Sequence, residues 1–275
     1  MLASRALAEI FAVGTSAGGA RAKAVLAIND ETHEVRAGNI PVPDGFGQYL
    51  LKFDGVSSTD KGLAGTQPYC RREYAYFLMA QAAGVDMSPC RLLEENGRAH
   101  FLTRRFDRVG NEPLHMQTLC ALQALDYNLV GTHDYAQYFA TINALDLGEA
   151  ALVQGFRRMA FNVLAANHDD HTKNLAFVIS STGTWSLSPA YDLTFAYDPD
   201  NHWLRAHLMG VLGKFTDITA ADLLAIADQF AIPYARSALA EVRDAIGSWG
   251  EFASAAGLAQ ADTDMIGAHL SAAAV

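Results

Sequence analysis

The sequence predicts an α+β protein of two lobes, a small antiparallel sheet first and a mostly helical part after it. Three observations carry this. Strand and turn signals with a single helix among them fill the first part, helical periodicity dominates the rest, and a charged, Gly-containing stretch from Asp107 to Glu112 separates the two. The lobes are accordingly drawn at residues 1–110 and 111–275.

Each element follows from local pattern. Met1 to Phe11 reads as a short helix-like stretch, and Val13 to Lys23 as a glycine-rich loop containing Gly14, Gly18 and Gly19. Ala24 to Ile28 is a strand ending in an Asn29-Asp30 turn; Gln48 to Phe53 is a second strand that closes on Lys52. Ser57 to Gly65, rich in Gly, Ser and Asp, is a loop. Tyr74, Phe77, Leu78 and Gln81 recur at helical spacing, so Arg71 to Ala83 is a helix stopped by Gly84. Arg91 to Glu95 and His100 to Phe106 form a hairpin around Asn96-Gly97. Beyond the boundary, His115 to Leu125, Asp134 to Leu145 and Gly148 to Ala166 are predicted helices. A polar loop from Asn167 to Asn174 leads into a hairpin of Leu175 to Ile179 and Thr184 to Leu187, then Ser188-Pro189-Ala190-Tyr191-Asp192. Asp222 to Phe230, Tyr234 to Ser248 and Asp262 to Ala273 are the closing helices.

Composition narrows the function. With 51% apolar and 18% charged residues the chain is an ordered globular protein. A net charge of -10 disfavours direct nucleic-acid binding, which needs clustered Lys and Arg. The pairs Arg71-Arg72, Arg104-Arg105 and Arg157-Arg158 read first as solvated faces or strand ends, and second as holders of a few phosphates. Cys70, Cys90 and Cys120 are too scattered for a zinc site or a disulfide framework, and Cys120 reads as a buried thiol rather than a nucleophile. No apolar run reaches membrane-spanning length, and the start lacks the features of a secretory signal, so a cytoplasmic protein is expected.

The chemistry concentrates in Asn167-His168-Asp169-Asp170-His171-Thr172-Lys173-Asn174, with Asp192 beyond. Phosphoryl transfer from ATP requires a carboxylate to accept the hydroxyl proton, oxygen ligands for Mg²⁺, a lysine on the phosphates and a glycine-rich loop over them. Asp169 and Asn174 have the Asp-x-x-x-x-Asn spacing of a kinase loop, and Asp192 follows a predicted hairpin, where the metal carboxylate belongs. Lys52 ends a strand in the first lobe, with the glycine loop ahead of it. Any one of these occurs by chance; their order and spacing together are specific.

The sequence resembles the HipA-like serine/threonine kinases. Phe161-Asn162-Val163-Leu164, Asn167 to Asn174 and Trp185 to Thr194 carry the resemblance, with Glu73 to Tyr76, Arg105 to Arg108 and His115 to Leu119. It implies a two-lobed protein-kinase-like fold and the toxin half of a bacterial toxin–antitoxin pair, whose partner is a helix-turn-helix antitoxin of the HipB type. Carried across by motif, Asp169 is the proton acceptor, Asn174 and Asp192 hold Mg²⁺, and Lys52, His171, Lys173 and Asn174 lie at the ATP phosphates. Gly18, Gly19, Ala20, Arg21, Ala22 and Lys23 form the phosphate loop, and Arg104, Arg105 and Phe106 the strand bordering adenine. In the family a loop serine can be autophosphorylated, which ejects the loop; Ser16 matches it, with Thr15 beside. Relatives phosphorylate aminoacyl-tRNA synthetases. Family members usually carry a small subdomain before the glycine loop. This chain starts almost at the loop, so a fragment, a natural short form, or one half of a split toxin with a separate N-terminal-subdomain-like protein is expected. Arg104 stands where some relatives have Glu.

Other readings sit beside this one. A non-catalytic kinase-like module could act by binding ATP or an antitoxin. His168 and His171 beside the carboxylates suggest a metal-dependent phosphohydrolase, which would need further histidines; His115 and His133 lack that spacing. Glu73 either pairs with Lys52 or merely suits the helix N-terminus. Trp185, Tyr191, Phe195 and Met209 read as packing.

Overall fold

The computed structural model describes residues 21–57, 68–95 and 97–273. The N-terminal lobe is a five-stranded antiparallel sheet of β1 (Arg21–Asn29), β2 (Val35–Ala37), β3 (Phe46–Ser57), β4 (Cys90–Glu95) and β5 (Arg98–Arg104), ordered β2-β1-β3-β5-β4. Strand alternation sorts its two faces. Tyr49, Leu51 and Phe53 of β3 join Leu26, Ile28 and Leu102 in a small core on one face. The intervening Lys52 lies opposite Lys23 of β1 and Phe101 of β5, on the face covered by helix α1 (Tyr69–Ala82). Lys52 therefore sits inside a twelve-residue central strand rather than at a strand end. Asp54-Gly55 has turn chemistry, but β3 pairs along both edges and runs on to Ser57. The β4–β5 hairpin forms with Glu95 opposite Arg98, and Gly97 takes the left-handed φ of +76° that its turn requires.

The stretch at 108–113 folds as a small hairpin of β6 (Arg108–Val109) and β7 (Glu112–Pro113). After it come β8 (His115–Thr118), α2 (Leu119–Leu122), β9 (His133–Asp134), α3 (Tyr135–Ala144), α4 (Gly148–Leu164), β10 (Ala176–Ile179), β11 (Trp185–Leu187) and β12 (Met209–Gly210). The chain closes with α5 (Ala220–Gln229), α6 (Ala235–Gly247), α7 (Trp249–Ala255) and α8 (Gln260–Ala273). Helix α1 shares one large core with these helices, where Tyr76 packs edge-on against Phe161 and Trp249.

One predicted helix fails here. The predicted helix His115 to Leu125 is a strand followed by one helical turn. Buried β10 needs a partner on its second edge, and β8 supplies it in the order β11-β10-β8. Thr118 then caps the turn by accepting from Ala121 N at 3.2 Å. Elements β2, β6, β7, β9, β12 and α7 carry too little local signal to be read from the sequence; β9 and β12 are a parallel two-residue ladder.

Candidate active site

The site grows from Lys52. Its ammonium is buried and donates to Glu73 Oε1 of α1 and to Asp192 Oδ1 of the segment after β11. Of the two readings of Glu73, the pairing with Lys52 holds. Burial works against the ammonium, but the Asp192 and Glu73 carboxylates outweigh it and raise the Lys52 pKa above its ordinary value. Burial likewise works against Asp192, yet Lys52, and then Lys23, hold its carboxyl down at about 2. Lys23 sits across from Lys52 on the same sheet face, which explains its reach. The Asp192 side chain remains 37% exposed, so the group is ionised and open to solvent.

Local backbone places Asp192. Ala190 bridges to Met87, and its N–H donates to Asp86 O at 2.8 Å, tying this segment to the end of α1. Buried Arg158 of α4 donates to Ser188 O. Asp192 itself has φ +56°, a left-handed conformation that costs a non-glycine residue roughly 1 kcal/mol or more. Other left-handed residues, such as Ala124, Asp146, Ala166 and Ala231, fall just past helix ends, where that conformation is routine. Asp192 follows no helix.

The Asn167–Asn174 loop leaves α4 through Ala166, φ +50°, and Asn167 bridges to Ala196. Asp169 and Asp170 then part company. The Asp169 side chain is 48% exposed, with His171 Nε2 at 3.7 Å from its Oδ1. Asp170 is buried, accepting from Tyr135 OH and His207 Nδ1 at Oδ2 and from the Leu208 and Met209 amides at Oδ1. Asn174 Nδ2 donates to the Asp169 carbonyl at 2.8 Å, which leaves its Oδ1 as an oxygen donor. The Lys173 ammonium stands 3.2 Å above the ring of Tyr127, and Tyr191 OH donates to the Lys173 carbonyl at 2.6 Å. Phe106 lies 5.7 Å from the Tyr191 ring, so the link between the lobes, the loop and the Asp192 segment meet at one tyrosine.

Ser16, Thr15, Gly14, Gly18, Gly19 and Ala20 are outside the described residues. Arg21, Ala22 and Lys23 form the start of β1. Arg104 is exposed at the end of β5, and Arg105 makes a bidentate pair with Asp107 at 2.8 and 2.6 Å. The other basic pairs are engaged too: Arg71 with Glu94, Arg72 with Asp262, Arg157 with Glu241. Cys120 is partly exposed rather than buried, its Sγ donating to Leu125 O at 3.1 Å, because the helix expected around it has only one turn. Tyr127 and Tyr135 escaped the sequence reading, and Asp170 stood in the motif without a role of its own. Tyr127 is a lone aromatic in a loop, and Asp170 and Tyr135 meet only through folding. Among the described residues, no three His, Cys, Asp or Glu side chains form a group that could hold a metal ion.

A family profile described as the HipA-like C-terminal domain matches residues 15–249. The chain is 24% identical over 137 residues to Y4dM of Sinorhizobium fredii (strain NBRC 101917 / NGR234), which carries the provisional name of a kinase; the match covers 44% of this chain and 32% of Y4dM. Its fold is similar to that of HipA from Shewanella oneidensis MR-1, solved with HipB and operator DNA, with TM-score 0.64 and 16% identity over 94% of this chain and 63% of that one. It is also similar to the proinflammatory kinase CtkA of Helicobacter pylori, with TM-score 0.53 and 13% identity over 82% and 86%. These likenesses give the two-lobed, kinase-like fold. The chain spans about a third of Y4dM and less than two-thirds of that HipA chain. Among the described residues no helix is long and apolar enough to cross a membrane.

Proposed function

The chain belongs to the family of HipA-like C-terminal domains, and from that premise we propose that it is an ATP-dependent serine/threonine protein kinase. Asp169 is the base: a half-exposed carboxylate can receive a substrate hydroxyl and take its proton. Lys52, with Lys23 beside it, faces the phosphates; Glu73 fixes the lysine from behind.

Mg²⁺ fits the residues present. Asp192 is ionised, solvent-accessible and held in an unusual backbone conformation, and Lys52 engages only its Oδ1. Asn174 turns its Oδ1 away from the Asp169 carbonyl. Two side-chain oxygens with phosphates and water suit a cation that keeps much of its hydration. When bound, Mg²⁺ neutralises charge on the phosphates. The observation that carries the reading is the meeting of Lys52, Glu73 and Asp192, drawn from three distant segments, beside a loop that carries Asp169 and Asn174.

In biological context we propose a cytoplasmic, growth-arresting toxin. Its partner would be a helix-turn-helix antitoxin of the HipB type, as in the Shewanella complex. A separate N-terminal-subdomain-like protein is a further proposed partner, an aminoacyl-tRNA synthetase the candidate substrate, and Ser16 the candidate autophosphorylation site.

The test is incubation with Mg²⁺ and γ-labelled ATP, alone and with lysate, beside Asp169→Ala. We expect labelled protein that falls about a hundredfold or more in the variant, with ATP binding retained. ATP binding without transfer in the wild type would sink the kinase reading, as would free phosphate with no labelled protein.

A further inference from the structure

We propose that Asp170, the buried neighbour of the base, is a positioning residue that fixes Asp169 through a hydrogen-bond chain inside the helical lobe. The proposal rests on the reading of Asp169 as the base. The chain begins at Asn167, whose Nδ2 donates to Asn162 Oδ1 of α4 at 2.9 Å. Asn162 Nδ2 donates to Tyr135 OH at 2.9 Å, and Tyr135 OH donates to Asp170 Oδ2 at 2.9 Å. His207 Nδ1 lies 3.1 Å from the same oxygen, while Leu208 N and Met209 N reach Oδ1 at 2.8 and 3.1 Å. Asn162, Asn167, Asp170 and His207 are all buried, and Tyr135 is completely so.

This arrangement bears on Asp169 from both sides. Before it, His168 N donates to Ala196 O at 3.1 Å, and His168 O accepts from Leu208 N at 3.3 Å. After it, Asp170 is held by α3, β12 and the residues leading into β12. Asp169 is thus a partly exposed side chain on a backbone pinned at each neighbour. A base displaced by about 1 Å can lose roughly a hundredfold in rate, so this pinning matters for transfer more than for binding.

The carboxylate is needed because it accepts at both oxygens. An asparagine could still accept from Leu208 N and Met209 N at Oδ1. Its amide nitrogen would then face Tyr135 OH and the His207 ring, and the tyrosine hydroxyl would lose its acceptor.

The experiment compares wild-type protein, Asp170→Asn and Tyr135→Phe, with Asp169→Ala as the null, in γ-labelled ATP transfer. Fluorescent (mant) ATP titration measures nucleotide affinity. For Asp170→Asn we expect kcat to fall about a hundredfold, and for Tyr135→Phe about tenfold, with KM for ATP and the mant-ATP Kd within threefold of wild type. Asp170→Glu should not rescue, because the longer arm misplaces both oxygens. A kcat within threefold of wild type in Asp170→Asn overturns the proposal, as does a loss of nucleotide affinity in step with kcat. Should Asp170→Asn fail to fold, Tyr135→Phe decides alone. Wild-type protein that transfers no phosphate overturns the kinase reading instead. Amide hydrogen exchange then decides the anchoring: faster exchange at residues 168–171 in Tyr135→Phe supports it, and unchanged exchange there overturns it.

Discussion

At the scale of single residues, Lys52 shows how burial makes a charge depend on its partners. Glu73 is as deeply buried as the lysine, whereas Asp192 keeps contact with solvent. Breaking a buried pair leaves an uncompensated charge and costs about 3–5 kcal/mol. Lys52→Met should therefore lower the urea-unfolding free energy by roughly that amount, because Glu73 stays behind in the core. Asp192→Asn should cost far less, since Lys52 keeps Glu73, yet it should abolish phosphate transfer. Equal losses of stability in the two variants would contradict this asymmetry. Glu73 illustrates the limit of sequence reading: a carboxylate in the first turns of a helix has a satisfactory role without any lysine, and only the packing of α1 against β3 selects the pairing.

At the scale of elements, the segments predicted best have strong local signals at both ends. Helix α3 begins at Asp134, which accepts from Ala136 N at 2.8 Å, while Gln137 Oε1 reaches back to Asp134 N at 3.0 Å. The same carboxylate accepts from Gly213 N at 2.8 Å, so one side chain joins a helix start to a distant turn. Asp134→Ala should cost about 1–2 kcal/mol, measured by thermal or urea unfolding, with a larger loss than at a cap that serves its helix alone. The helix predicted from His115 to Leu125 fails over its first four residues, His115–Thr118, for the opposite reason. Its apolar spacing suits a helix, but β10 offers a row of unpaired backbone groups, and pairing them outweighs a weak helical preference.

At the scale of the whole molecule, acid tolerance reports on the packed loop. Burial first, and the nearby His207 second, lower the pKa of His168 from 6.5 to about 4. Between those values the unfolded chain binds more protons than the folded one, so stability falls as pH falls. The slope is at most about 1.4 kcal/mol per pH unit for one proton. Asp192, lowered from 3.8 to about 2, extends the loss: its contribution is full above 3.8 and disappears as pH drops toward 2. Urea midpoints should decline from pH 7 to pH 5, and less steeply in His168→Gln. An identical slope in that variant would exclude His168 as the source.

By itself the sequence determined the lobe order, the long helices, both hairpins and the spacing of Asp169, Asn174 and Asp192. Each of these is written in neighbouring residues, through periodicity, caps, turn chemistry or a contiguous motif. Tertiary structure alone decided that Lys52 lies within a central strand, that Glu73 and Asp192 share it, and that Asp170 is anchored by Tyr135. The physical reason is that these pairings join residues far apart in the chain. Such contacts become favourable only once folding has removed the competing water and brought the surrounding hydrophobic surfaces together.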